Sequence, residues 1–118
     1  MKYSFSRNLR LISTVQFKQV FSKAKRVTTQ FGTIFYCYNN LNHPRLGVIV
    51  PKRNVKLANK RNRLKRIIRE CFRLRQQQLA TIDIIFLMNK EATNIVDQDL
   101  WNYLEKSWDR LVLLANKA

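Results

Sequence analysis

The segment KRNRLKRIIRE, Lys60 to Glu70, carries six basic side chains and one acid on eleven consecutive residues. The apolar residues in and around it decide what the chain can fold into. On a helix that advances about 100° per residue, Leu57, Leu64, Ile67, Ile68, Cys71, Phe72 and Leu74 share one broad side. Asn62, Lys65, Arg66, Arg69 and Arg73 share the opposite side, with Arg61 and Arg63 at its margins. The pattern predicts a helix from about Val55 to Leu79, laid on a core by one face only. Most charge runs are simply solvated faces. This one has a single sign, is mostly Arg, and lacks the i,i+4 Glu partners that a solvated helix would use. Such a face asks for a polyanion.

The charge is also confined to one part of the chain. Residues 1–75 carry +18 and residues 76–118 carry −2, within a net +16. That asymmetry favours nucleic acid, with an anionic membrane as the rival. A membrane-surface helix would need its apolar side for lipid, whereas here that side is needed for the core. No stretch approaches membrane-spanning length, and MKYSFSRNLRLIS has no continuous apolar run, so the expectation is a soluble cytoplasmic protein without a signal peptide. Cys37 and Cys71 lack CxxC spacing and read as buried thiols in a reducing compartment.

The other elements follow from shorter patterns in what reads as one domain, 1–118, behind a loose basic tail of about ten residues. ISTVQFKQVFSKA reads as a helix with a capping box from Ser13 to Gln16, a hydrophobic staple from Ile12 to Phe17, and Phe17, Val20, Phe21 and Ala24 on one face. Thr33–Tyr38 reads as a strand, and RLGVIVP as a second strand ended by Pro51. Their close spacing suggests an antiparallel hairpin. IDIIFLM reads as a third, largely buried strand. Asp97 is placed to cap a last helix with Leu100, Leu104, Trp108 and Leu111 facing inward. The order is α-β-β-α-β-α, an α+β two-layer sandwich. General rules assign its β-α-β unit a right-handed crossover.

Catalytic signals are nearly absent. The single histidine, His43, precedes Pro44 and reads as a turn residue. There is no Gly-rich phosphate loop, no HExxH and no zinc spacing of Cys and His. Acids are too scattered for a paired-carboxylate site. Phe17, Phe21, Phe35, Tyr36 and Tyr38 taken singly are better read as core. Together with Lys18, Lys23, Lys25 and Arg26 they also fit an aromatic platform for single-stranded nucleic acid.

RLGVIVPKRNVKLANKRNRLKRIIRECFR resembles the signature region of the bacterial ribonuclease P protein family, with Arg61, Asn62 and Arg63 as its Arg-Asn-Arg. Lys65, Arg66, Arg69 and Glu70 follow in register, Phe17 and Phe21 supply the Phe-x-x-x-Phe, and Asp83 heads the apolar strand. The resemblance implies a fold like domain 2 of ribosomal protein S5, with a left-handed β-α-β crossover in place of the right-handed default. It implies a monomeric protein, one per RNA, that assembles with a catalytic RNA subunit and helps it remove the 5′ leader of precursor tRNA. Mg2+ is then held mainly by the RNA, and no residue of this chain is catalytic.

The resemblance assigns Lys60, Arg61, Asn62, Arg63, Lys65, Arg66, Arg69 and Arg73 to the RNA subunit. It assigns Phe17, Phe21, Tyr36, Lys52 and Arg53 to the leader, strand phase deciding which of Phe35, Tyr36 and Tyr38 faces the cleft. Pro51 replaces the family's usual small residue before the basic pair, and with Asn89 and Glu91 in the loop after the third strand only Lys90 keeps that loop's positive charge. Two alternatives stand beside this reading: a structural RNA-binding protein of ribosomal type, and a nuclease in its own right, which the shortage of acids and histidines disfavours.

Overall fold

The Ser13 hydroxyl accepts the Gln16 N–H at 3.1 Å, and Gln16 Oε1 accepts the Ser13 N–H at 3.1 Å. This expected capping box satisfies two donors that a helix start leaves open. It begins α1 (Thr14–Lys23) in a computed structural model that describes residues 10–11, 13–79 and 81–115. The Ile12 half of the staple and residues 1–9 of the expected tail lie outside the described residues. Arg10, placed in that tail, instead forms a parallel bridge to Leu46, and the Leu11 N–H donates to Leu46 O at 2.9 Å.

A strand that the sequence pattern did not announce follows α1: β1 (Lys25–Thr28). Its four residues offer one apolar position, Val27, too few for a period of two to register. A turn at residues 29–31 leads into β2 (Gly32–Tyr38), antiparallel to β1. A Cβ at Gly32 would sit 2.3 Å from Leu87 O, so only glycine fits there.

β3 (Arg45–Ile49) does not pair with β2, contrary to the expected hairpin. β4 (Ile82–Met88) lies between them, antiparallel to β2 and parallel to β3, in the order β1-β2-β4-β3. Six of the seven β4 residues are buried, and so apolar a strand is best placed at the centre, with ladder bonds on both edges. The β2–β3 link at residues 39–44 is long enough to pass over it.

β3 and β4 are joined by α2 (Ala58–Arg75), which packs beside α3 (Asp97–Ala115) on one sheet face. Ile34, Tyr36, Leu46, Ile82, Ile84, Phe86 and Met88 meet Leu64, Ile68, Cys71 and Phe72 of α2 there, with Leu100, Leu104, Trp108 and Leu111 of α3. The Trp108 ring stands edge-on to Phe86 at 5.2 Å and to Phe72 at 5.9 Å. Two predicted core positions are corrected: Leu57 precedes the first turn of α2 and is 57 % exposed, and Leu74 falls at the edge of the buried stripe. Asp97 is the first residue within α3 rather than its cap; with Asp99 it places negative charge at the positive helix end. α1 crosses the other sheet face, where Leu11, Val20 and Ile85 form a second, smaller core. Among the described residues no helix is long and apolar enough to cross a membrane.

Candidate nucleic-acid interface

Strand alternation divides the sheet into rows. On the face that α1 crosses, the register sets Gly47, Ile85, Phe35 and Arg26 in one row across all four strands. Ile49, Leu87, Thr33 and Thr28 form the next. α1 lies along the first. Phe17 rests against Gly47, where a Cβ would come within 2.6 Å of its ring, and Phe21 meets Phe35 edge-on at 4.9 Å. Val20 is buried with Ile85 between them. The row Ile49–Leu87–Thr33–Thr28 is half-buried to exposed beyond the phenylalanines and forms the floor of a shallow groove.

Exposed cations rim that groove. Lys52 and Arg53 follow β3 at its Ile49 end, Lys90 follows β4 at the same end, and Arg26 is the cross-strand neighbour of Phe35. Tyr36, predicted for this surface, is corrected: strand phase turns it to the helix side, where it is 7 % exposed. Phe35 is the β2 aromatic beside α1. Phe35 and Arg26, both among the candidate platform residues, could be set side by side on this face only once β1 and the strand phase were known.

The outward side of α2 is a second surface. Asn62, Arg66 and Arg69 are exposed and Lys65 half-buried, and none of the four has a hydrogen-bond or ion-pair partner among the described residues. Burial, then the neighbouring Arg10 charge, pulls the Arg69 pKa below its ordinary value. The flanking cations of the same segment are engaged within the protein. Lys60 Nζ donates to Asn94 Oδ1, and Arg61 Nη1 donates to the Val55 and Lys56 carbonyls at 3.0 and 2.8 Å. Arg63 pairs with Asp97 and donates to Ile95 O at 2.7 Å, clamping α2 to the start of α3. Arg73 pairs with Glu70, whose carboxyl it holds below the usual range through their hydrogen bond. Face geometry alone did not separate Lys60, Arg61 and Arg63 from the outward cations, because their acceptors are loop carbonyls, the Asn94 amide and Asp97, all outside the helix.

At the opposite end of the sheet, Asp83 is buried on β4. It accepts from Arg45 Nε at 2.8 Å, Arg45 Nη2 at 2.7 Å and Asn39 Nδ2 at 2.9 Å. This bidentate pair closes the floor of a cavity of about 250 Å3 beside Gln19, Lys23 and Cys37. His43 Nδ1 lies 3.0 Å from Pro44 O, as a turn residue would. Among the described residues no three His, Cys, Asp or Glu side chains converge. Of the two thiols, Cys71 is buried as predicted, accepts the Trp108 Nε1–H at 3.1 Å, and is pushed up to about 12 by burial. Cys37 is only half-buried; burial raises its pKa too, helped by Asp83 and opposed by Lys23 and Arg45.

Comparison with known proteins matches residues 5–112 to the family described as Ribonuclease P. The ribonuclease P protein component of Histophilus somni is 46 % identical over 100 % of this chain and 99 % of its own. That of Photobacterium profundum is 43 % identical over 97 % of each. Among solved structures, the RNase P protein of Staphylococcus aureus superposes with a TM-score of 0.79 at 27 % identity, covering 91 % of this chain and 94 % of its own. The Thermotoga maritima RNase P protein gives 0.73 at 26 % identity, covering 87 % and 94 %.

Proposed function

The chain belongs to the ribonuclease P protein family, and from that premise we propose which surface serves which RNA. It is the protein component of the ribonucleoprotein that processes the 5′ end of tRNA, with an RNA subunit as its partner. The α2 face built on Asn62, Lys65, Arg66 and Arg69 takes the RNA subunit. Three fixed cations there neutralise phosphates and release counterions, while the Asn62 amide reaches a sugar hydroxyl or base edge. Lys60, Arg61 and Arg63 support that face by holding its helix against the loops and the start of α3, and Arg73 pairs with Glu70 on the same helix.

The groove takes the single-stranded leader of precursor tRNA. Phe17, Phe21 and Phe35 offer ring edges and faces to its bases, and Lys52, Arg53 and Arg26 meet its phosphates. The observation that carries this assignment is the continuous row across four strands, walled by phenylalanines and rimmed by cations. One copy serves one RNA. Mg2+ is held mainly by the RNA, whose chemistry hydrolyses the phosphodiester; the protein binds, orients and neutralises.

The test is reconstitution with a bacterial ribonuclease P RNA and a leader-bearing precursor tRNA at low Mg2+, each component omitted in turn. Cleavage at the mature 5′ end that needs both RNA and protein is expected. RNA binding without any effect on cleavage would move the assignment to a structural RNA-binding protein, and cleavage by the purified chain alone to a nuclease.

A further inference from the structure

The helix side of the sheet holds a cavity of about 220 Å3 under the β1–β2 turn. Val27 and Ile34 form its floor, Phe31 and Tyr103 stand edge-on at 5.2 Å as one wall, and Lys106 and Arg110 line the α3 side. The wall is braced: the Tyr103 and Thr29 hydroxyls are 2.7 Å apart, and Asn89 Nδ2 donates to Gln30 O at 3.0 Å. Lys106 and Arg110 are exposed, one helical turn apart, and have no acid partner among the described residues. The nearby acids Glu105 and Asp109 are both taken by Arg75 from α2. An aromatic wall beside two uncompensated cations fits an unpaired nucleotide, with its base on the rings and its phosphate on the cations.

The position selects which RNA supplies that nucleotide. The groove row ends at Thr28 on β1, an edge strand, and the turn that follows supplies Thr29, Gln30 and Phe31 to the cavity. Arg69 of the α2 cationic face lines a cavity with Leu46, Gly47 and Val48 of β3, at the other edge of the sheet. We propose that the cavity lined by Phe31, Tyr103, Lys106 and Arg110 is a distal leader subsite, which holds a nucleotide of the precursor after the strand has crossed the groove and turned over the β1 edge. This rests on the groove being the leader site.

The test is a set of precursor tRNAs whose leaders grow one nucleotide at a time, bound to the reconstituted holoenzyme in Ca2+ so that cleavage is suppressed. With the unaltered protein, affinity rises in a second step of roughly fivefold or more once the leader reaches past the groove. In the Lys106→Ala/Arg110→Ala double variant, whose changes lie on the exposed side of α3, that second step disappears and short-leader affinity stays the same. Tyr103→Phe, which keeps the ring, retains most of the step. Equal weakening for short and long leaders would mean the two cations act only as general charge, and would overturn the subsite. A second step that survives in the double variant would overturn it as well. If affinity with the unaltered protein ignored the leader altogether, the groove assignment itself would fail.

Discussion

Removing the carboxylate of Asp83 is the sharpest perturbation of this fold. Asp83→Ala deletes three hydrogen bonds in one step and leaves the Arg45 guanidinium, whose side chain is 18 % exposed, without its anion. Breaking a buried ion pair from one side costs about 3–5 kcal/mol. The residual exposure of Arg45 places the cost near the lower end, about 3 kcal/mol. A domain of this size has about 5–15 kcal/mol in total, so the melting temperature should fall by roughly 10–20 °C. Urea unfolding followed by far-UV circular dichroism measures it, with the slope m unchanged if only the folded state is affected. The double variant Asp83→Leu/Arg45→Met removes both charges and should recover much of the loss, because no buried charge is then left unpaired. A single variant costing under about 1 kcal/mol, or a double variant as unstable as the two single losses added, would refute this reasoning.

The α2 cations should separate by role. Arg66→Ala is expected to leave thermal unfolding unchanged, weaken binding to the RNA subunit and lower the salt dependence by about one phosphate contact. Arg63→Ala should cost about 1–2 kcal/mol of stability, because Ile95 O and Asp97 both lose their donor. On the other sheet face, Phe17→Ala should reduce affinity for precursor more than for mature tRNA, and equal losses would mark Phe17 as core. Tyr36→Ala should instead lower stability by about 3 kcal/mol without preference between the two RNAs. With iodoacetamide at neutral pH, Cys37 should be alkylated well before Cys71. The raised Cys71 pKa means stability present below about pH 9 is lost as pH rises toward about 12, checked by alkaline unfolding of Cys71→Ala against the unaltered protein.

Local patterns were enough for much of this protein, because the forces behind them are local. The capping box at Ser13, the middle of the α2 stripe from Leu64 to Phe72 and the inward face of α3 depend on neighbours within a turn or two, and these formed as read. The excess of positive charge before residue 76, and with it a polyanionic partner, needed only counting. The Arg-Asn-Arg segment in register with the flanking elements was enough for the family.

Tertiary structure decided what depends on residues far apart in the chain. No local rule placed β4 between β2 and β3; the gain from burying its apolar residues on both faces did. Strand phase then exchanged Tyr36 for Phe35 at the groove, since a shift of one residue swaps the two faces of a strand. Only the packing of α2 on α3 and its loops divided one cationic run into Arg61 and Arg63, which hold the fold, and Lys65, Arg66 and Arg69, which face outward. The reason is physical: a charge declares itself in sequence, but whether it is already neutralised depends on which acid or carbonyl the fold brings within 3 Å.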